Sequence, residues 1–356
     1  MATINLGSSV TLAQFANAIA TVGDQVTIIG QGEPGIGKSA LLTMIVDRTG
    51  YEPAYVDVPT LDLGDVAMPV IDHETRTTRY YPNARFKLHL GKPVACMLDE
   101  WTKGAKPVKD MTHPLFEVNN PRLGDVSVPA GSIIFLTGNL ESDGVGDSLQ
   151  AHSKQRLTRV ELMKPDSDYW LENYAIPRGL DPIICAWVHR HPHCLASYTD
   201  GDQAANEFIF NPKVPQGAVV SPRTLEKASK IVSNRDKVDQ NSLLAALQGT
   251  VGAPAAQSIV AFVRHQDSLP SFQSIIDRPS EARIPDDPGA IAVLAFGLLE
   301  MVDRATLTPI MKYIERVDLE WQSIFCVSLA RHKTKMSFAF ESHAFAQWCA
   351  ANQDIL

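Results

Sequence analysis

Three continuous apolar runs mark the first 140 residues, and each one stops at polar chemistry. Val26-Thr-Ile-Ile29 runs into a glycine-rich segment. Lys92-Pro-Val-Ala-Cys-Met-Leu98 ends at Asp99-Glu100, and Gly131-Ser-Ile-Ile-Phe-Leu-Thr-Gly138 ends at Asn139. Apolar runs without alternation predict strands covered on both faces, as in a parallel sheet. Ala54-Tyr-Val-Asp-Val58 reads as a further strand. Between these runs the period changes to that of a helix. Leu12, Phe15, Ala16, Ile19 and Ala20 recur at helical spacing behind Thr11, a plausible N-cap. Ala40 to Val46 is helix-compatible, and Gly50 is a stop signal. Val108 to Val118 reads as helical, disturbed by Pro114.

Two polar, Gly/Pro-punctuated stretches interrupt this alternation. Val70-Ile71 and Arg79-Tyr-Tyr81 can form the arms of a hairpin with Arg76, Arg79, Arg85 and Lys87 nearby, and Leu123 to Pro129 is a second hairpin candidate. Leu140 to Leu149 reads as a loop. From Asp166 onward the pattern is helical and mixed, with runs at Leu243–Leu247, Ala255–Val263, Ile291–Val302, Pro309–Val317, Trp321–Leu329 and Phe338–Trp348. The expected division is an α/β nucleotide-binding domain over 1–165, a helical lid over 166–235 and a helical C-terminal region over 236–356.

The glycine-rich segment turns this fold class into chemistry. Gly32-Glu33-Pro34-Gly35-Ile36-Gly37-Lys38-Ser39 is G-x-x-x-x-G-K-S between a predicted strand and a helix that starts at Ala40. Glycines let several backbone N–H groups converge on one anion, and the helix start adds partial positive charge. Lys38 is placed to reach β- and γ-phosphates, and the Ser39 hydroxyl to ligate Mg²⁺. Asp99 and Glu100 end a buried strand, where open α/β sheets bind ligands. Asp99 is assigned to Mg²⁺ and Glu100 to the attacking water. Asn139, at the next strand end, is assigned to orient that water and sense the γ-phosphate. Arg156 and Arg159 precede a β-like stretch, and one of them can serve a neighbouring subunit as an arginine finger. Ser221 as cap and Pro222 as the first helical residue put Arg223 in a first turn. That end is unfavourable for a cation unless an anion sits there, so Arg223 is assigned as a phosphate sensor.

Composition narrows the partners. The chain has 356 residues, 45% hydrophobic and 20% charged, with a net charge of −8. The acidic balance argues against a dedicated duplex-DNA binder. Five scattered cysteines read as reduced, buried thiols of a cytoplasmic protein. No secretory leader and no membrane span are expected. His189-Arg-His-Pro-His-Cys194 matches no common zinc spacing and is expected to be a helix end and loop.

Taken in order, the P-loop, the Asp-Glu strand, the Asn-ended strand, the paired arginines and the Ser-Pro-Arg helix start resemble an AAA+ ATPase. The resemblance is closest to the MoxR-like branch and covers about residues 5–235. It implies a P-loop AAA+ αβα sandwich followed by an α-helical lid, with the branch's two insert hairpins at about 62–85 and 119–130. It also implies Walker A at Lys38 and Ser39, Walker B at Asp99 and Glu100, sensor 1 at Asn139 and sensor 2 at Arg223. The family's Asp-Arg-Phe at the finger is Gln155-Arg156-Leu157 here, so either Arg156 or Arg159 can be the finger. The resemblance further implies ATP and Mg²⁺ as ligands, a hexameric ring, and a chaperone-like role on a protein client. A partner with a von Willebrand factor A domain goes with that role. The alternative is a nucleic-acid motor or helper gripping DNA through the basic hairpin.

Overall fold

In the computed structural model, which describes residues 9–140, 155–201, 203–212, 217–265, 269–332 and 334–354, the apolar runs pair as one parallel sheet. Its strands are β1 (Ser9–Val10), β2 (Ile28–Gln31), β3 (Glu52–Asp57), β6 (Val94–Asp99), β9 (Ile133–Gly138) and β10 (Thr158–Leu162), in the order β1-β10-β2-β9-β6-β3. Two antiparallel hairpins stand apart from the sheet. They are β4 (Ala67–Asp72) with β5 (Thr77–Pro82), and β7 (Arg122–Leu123) with β8 (Val126–Ser127).

Because side chains alternate across a strand, each run feeds two cores. Ile28, Ala95, Met97, Ile133 and Phe135 pack with Phe15 and Ile19 of α1 (Leu12–Val22) and with Leu41 and Ile45 of α2 (Leu41–Thr49). Ile29, Val94, Cys96, Leu98, Ile134 and Leu136 face the other way, onto Trp101, Val108, Leu115 and Phe116. Val108 belongs to α4 (Lys106–Thr112), which follows the single turn α3 (Leu63–Val66). Thr11 caps α1 in a reciprocal capping box with Gln14. α4 gives way to a 3₁₀ segment, His113–Phe116, at the proline. β2 lies two residues later than the expected Val26–Ile29. Val26 is exposed and bonds back to Val22, whereas Gly30 and Gln31 pair on both sides with β9 and β10. Neighbouring backbone, rather than side-chain hydrophobicity, carries that strand to its polar end.

The β4–β5 hairpin has the register expected from its arms, and Arg76 takes positive φ at its tip. Its base is tied to the second hairpin, where Asp125 accepts from Tyr80 N at 2.7 Å and donates to Tyr80 O at 2.9 Å. Arg85 lies beyond the hairpin and pairs with Asp65 at 2.9 Å, so it is not part of the basic tip. Apart from Leu140, the loop expected over 140–149 lies outside the described residues.

The chain divides into two compact units, Met1–Lys164 and Pro165–Leu356. The second is helical. Its helices include α5 (Ser167–Trp170), α6 (Pro182–Arg190) and α7 (Pro222–Val232), followed by α8 (Gln240–Val251) and α9 (Ala253–His265). One core gathers Trp170, Ile184, Trp187, Leu225, Leu247 and Ile259, and extends to Trp321. A second lies among Leu298, Ile310, Tyr313, Phe325 and Phe345. His189–Cys194 is the end of α6 and a following 3₁₀ turn, with His191 Nδ1 2.9 Å from Trp187 O. No described helix is long and apolar enough to cross a membrane.

Candidate functional site

β2, β9 and β6 are neighbours in the sheet, and their carboxyl ends bring Gly32–Ser39, Asn139 and Asp99–Glu100 together. The glycine loop is anchored at its start and at its middle. Gly32 N donates to Gly138 O at 3.2 Å, and Ile36 is buried in the core on the α2 side. A Cβ on Gly32 would come within 2.7 Å of Ile36 Cδ1 and 3.0 Å of Leu162 O, so this approach requires glycine. Gly37 has φ 101°, a conformation that side chains resist, and leads into the 3₁₀ turn Lys38–Ala40.

Lys38 is buried and its ammonium donates to Gly32 O at 2.6 Å, Glu33 O at 2.9 Å and Asn139 Oδ1 at 3.0 Å. The lysine and the asparagine assigned from separate strands therefore meet side chain to side chain. Gln31 Nε2 reinforces the junction by donating to Asn139 O at 3.1 Å.

Asp99 is a shared acceptor. Its Oδ1 takes a short hydrogen bond from Thr137 Oγ1 and one from Glu100 N at 3.2 Å. Its Oδ2 takes Tyr55 OH at 2.8 Å and Ser39 Oγ at 3.3 Å. Burial first, then the Asp99 hydrogen bond and nearby carboxylates, pushes the Tyr55 phenol well above its ordinary range. Burial, followed by the charges of Asp99 and Glu100, also raises the Asp57 carboxyl, with Lys103 opposing. This corner of the site is acidic and lined by hard oxygens. A Ser hydroxyl beside an Asp carboxylate is a donor set that suits Mg²⁺, which takes one or two protein oxygens and completes its shell with water and phosphate. Among the described residues no group of three or more His, Cys, Asp or Glu could hold a metal on its own.

Glu100 follows the strand in left-handed backbone, φ 51°, a region that ordinarily belongs to glycine. Such a residue costs of order 1–3 kcal/mol and persists only when its surroundings hold it. Here Thr137 Oγ1 accepts Glu100 N at 3.1 Å, and Lys103 pairs with the carboxylate at 2.8 Å. The P-loop residue Glu33 forms an ion pair with Lys164 at 3.6 Å, their side chains only 4% and 3% exposed.

Arg156 and Arg159 are not part of this cluster. Arg156 is exposed in helical backbone just before β10, and Arg159 is exposed on β10 beside Ile29. Thr158 pairs with Ile28 at the amino end of β2. Arg156 therefore stands roughly 10 Å or more, along the strands, from the end that carries the P-loop. Arg223 is exposed in the first turn of α7, in the helical unit, behind the Ser221 capping box.

Tyr55, Thr137, Lys103 and Lys164 were not singled out from sequence. Thr137 had a signal, a polar residue within an apolar run. Tyr55 depends on the register of two strands 44 residues apart and had none.

No family model matches the chain, and no curated protein matches it. Among solved structures, a mutant of RuvB from Thermotoga maritima is 16% identical, with 76% of this chain and 74% of that chain covered and a TM-score of 0.35. NtrX from Brucella abortus in complex with ADP is 11% identical, with 98% of this chain and 69% of that chain covered and a TM-score of 0.38.

Proposed function

We propose that this chain is an AAA+ ATPase that hydrolyses ATP to ADP and phosphate with Mg²⁺. One observation supports it above all: Lys38, Ser39, Asp99, Glu100 and Asn139 converge at three adjacent parallel strand ends. In this reading the backbone of Gly32–Ala40, including Glu33, Pro34, Gly35, Ile36 and Gly37, cradles the phosphates. Lys38 turns from its carbonyls toward them. Ser39 and Asp99 would hold Mg²⁺, which would supply neutralisation of phosphate charge. Glu100 accepts the proton of the attacking water while Asn139 fixes that water's position. Arg156 or Arg159 completes the site of a neighbouring subunit, and Arg223 reports phosphate to the helical unit. The test compares turnover of the wild type with Glu100→Gln. Loss of roughly 10²-fold or more with nucleotide binding retained is expected. Unimpaired hydrolysis by the variant would refute the base assignment, and no turnover by the wild type would refute the activity.

The finer reading is a MoxR-like hexameric ring that remodels a protein client, with a von Willebrand factor A domain protein as the partner class. It is supported by the β4–β5 hairpin, which exposes the apolar side chains of Met68, Val70 and Ile71 together with Tyr80 and Tyr81. Five free, buried cysteines fit a reducing cytoplasm. The same hairpin favours one second reading. Tyr80 and Tyr81 beside Arg79 could stack and neutralise single-stranded nucleic acid. Stimulation of turnover by single-stranded DNA, weakening with salt, would select it.

A further inference from the structure

Asp99 is held at both oxygens, and the two are held differently. Oδ1 is fixed from within the sheet by Thr137 and the Glu100 amide. Oδ2, the oxygen that faces Ser39, is held from the sheet edge by Tyr55. β3 is the outermost strand on that side, and Tyr55 is in register with Met97 rather than with Asp99. The hydroxyl must therefore reach along two strand residues, roughly 6.7 Å. A phenol spans that gap, whereas the shorter hydroxyls of serine or threonine do not. The residue is 49% exposed, so core packing does not account for a tyrosine at this place.

We propose that Tyr55 is a positioning residue for Mg²⁺-dependent nucleotide binding, acting by fixing the Oδ2 oxygen of Asp99 that the metal site uses. This rests on the ATPase reading of the site. The Ser39 contact to Oδ2 is the longer of the two, 3.3 Å against 2.8 Å. Without the Tyr55 hydroxyl, Ser39 remains the donor to Oδ2 among the described residues, and the carboxylate gains freedom to turn about its Oδ1 contacts. Asp57, in register with Asp99 on β3, cannot replace the donor, because a second carboxylate there brings repulsion instead. A neutral hydroxyl satisfies the oxygen without cancelling the negative charge that a cation needs.

The experiment uses Tyr55→Phe, which keeps the ring, and a fluorescent ADP analogue as the probe. Affinity is measured in EDTA and across a Mg²⁺ titration, beside melting temperature. The variant is expected to bind the probe as tightly as wild type in EDTA and to melt within a few degrees of it. It should need roughly tenfold more Mg²⁺ for the same gain in affinity. In an Asp99→Asn background the same change should have no further effect on the Mg²⁺ titration, an outcome that a merely structural role does not produce. A Mg²⁺ titration that superimposes on wild type overturns the inference and leaves the ATPase reading intact. Equal weakening in EDTA and Mg²⁺ also overturns it, because Tyr55 would then shape the pocket rather than the metal side. A wild-type protein that binds no nucleotide overturns both.

Discussion

The Lys103 ammonium sits 2.8 Å from the Glu100 carboxylate, three residues further along the chain in the turn that follows β6. The residue proposed as base is thus held by a cation of its own turn, on a backbone already strained at φ 51°. Both side chains are partly exposed, so solvent screens the pair and its contribution to stability is small, about 1 kcal/mol or less. Its consequence lies in where it points the carboxylate. Lys103→Met is expected to raise basal ATP turnover severalfold while leaving the denaturation midpoint nearly unchanged. Steady-state phosphate release, beside a urea titration, measures both. A fall in turnover at unchanged stability would mean that Lys103 serves the reaction instead of restraining its base.

Asn139 couples the strand end of β9 to Lys38 through a 3.0 Å contact. Asn139→Ala removes that contact and the proposed water ligand together, but leaves the backbone of the glycine loop in place. Turnover should fall by roughly 10²-fold, the scale of losing one preorganised polar group at a reacting centre. Nucleotide affinity should change by only a few-fold, because the loop N–H groups remain. Equilibrium binding and single-turnover hydrolysis separate the two effects. Parallel losses in binding and turnover would reassign Asn139 to loop architecture.

The Glu33–Lys164 pair is buried on both sides. Breaking a buried pair by removing one partner costs about 3–5 kcal/mol. Glu33→Ala should therefore lower the melting temperature well beyond the effect of a substitution in an exposed loop. Replacing both residues, as Glu33→Gln with Lys164→Met, should recover most of the loss. Calorimetry on the two variants decides this, and a double variant no more stable than the single one would locate the effect elsewhere.

Acid should weaken the helical unit through its histidines. Burial lowers His189, His191 and His332 below the ordinary imidazole value, so each is neutral in the fold and takes up a proton more readily when unfolded. Where the unfolded chain binds more protons, stability rises with pH. The contribution is complete above the unfolded value of about 6.5 and is lost as pH falls through it toward the depressed folded value. His189 packs edge-on against Phe296 and Trp321, and faces Glu320 at 3.7 Å. Relative to His189→Gln, the wild type should lose stability as pH drops from 7 to 5.5. Denaturation midpoints on a pH series give the difference directly. Glu300, whose carboxyl burial raises, titrates in the opposite sense in both proteins and cancels in that difference.

What sequence could reveal followed from periodicity and local motif. The buried strands, the Thr11 and Ser221 caps, both hairpins and the loop around Lys38 all depend on residues close together in the chain, where steric and hydrogen-bond rules act directly. The contacts that complete the site depend on pairing register. Tyr55 meets Asp99 because β3 lies beside β6 with Tyr55 opposite Met97, and nothing local to Tyr55 encodes that. Glu33 meets Lys164 because β10 runs parallel to β2 and ends beside the loop. Lys103 is only three residues from Glu100, yet its role depends on Glu100 adopting left-handed backbone. An Asp-Glu pair at a strand end gives no warning of that.

Arg156 separates a self-sufficient site from a shared one. It is exposed, and it precedes β10 at the end of the sheet away from its own P-loop. No side chain reaches from there to the Lys38 ammonium of the same chain without rearranging β10. If the arginine acts, it acts on another copy. Arg156→Ala alone should be inactive while binding nucleotide normally, and Lys38→Ala alone should be inactive for want of phosphate contacts. Mixed in equal amounts, the two form interfaces in which an intact P-loop meets an intact arginine, so part of the wild-type turnover should return. The recovered rate should rise and fall with mixing ratio, peaking near equal proportions. A mixture that assembles but stays inactive at every ratio would exclude Arg156 as the shared residue. The same experiment with Arg159→Ala would then be the deciding one.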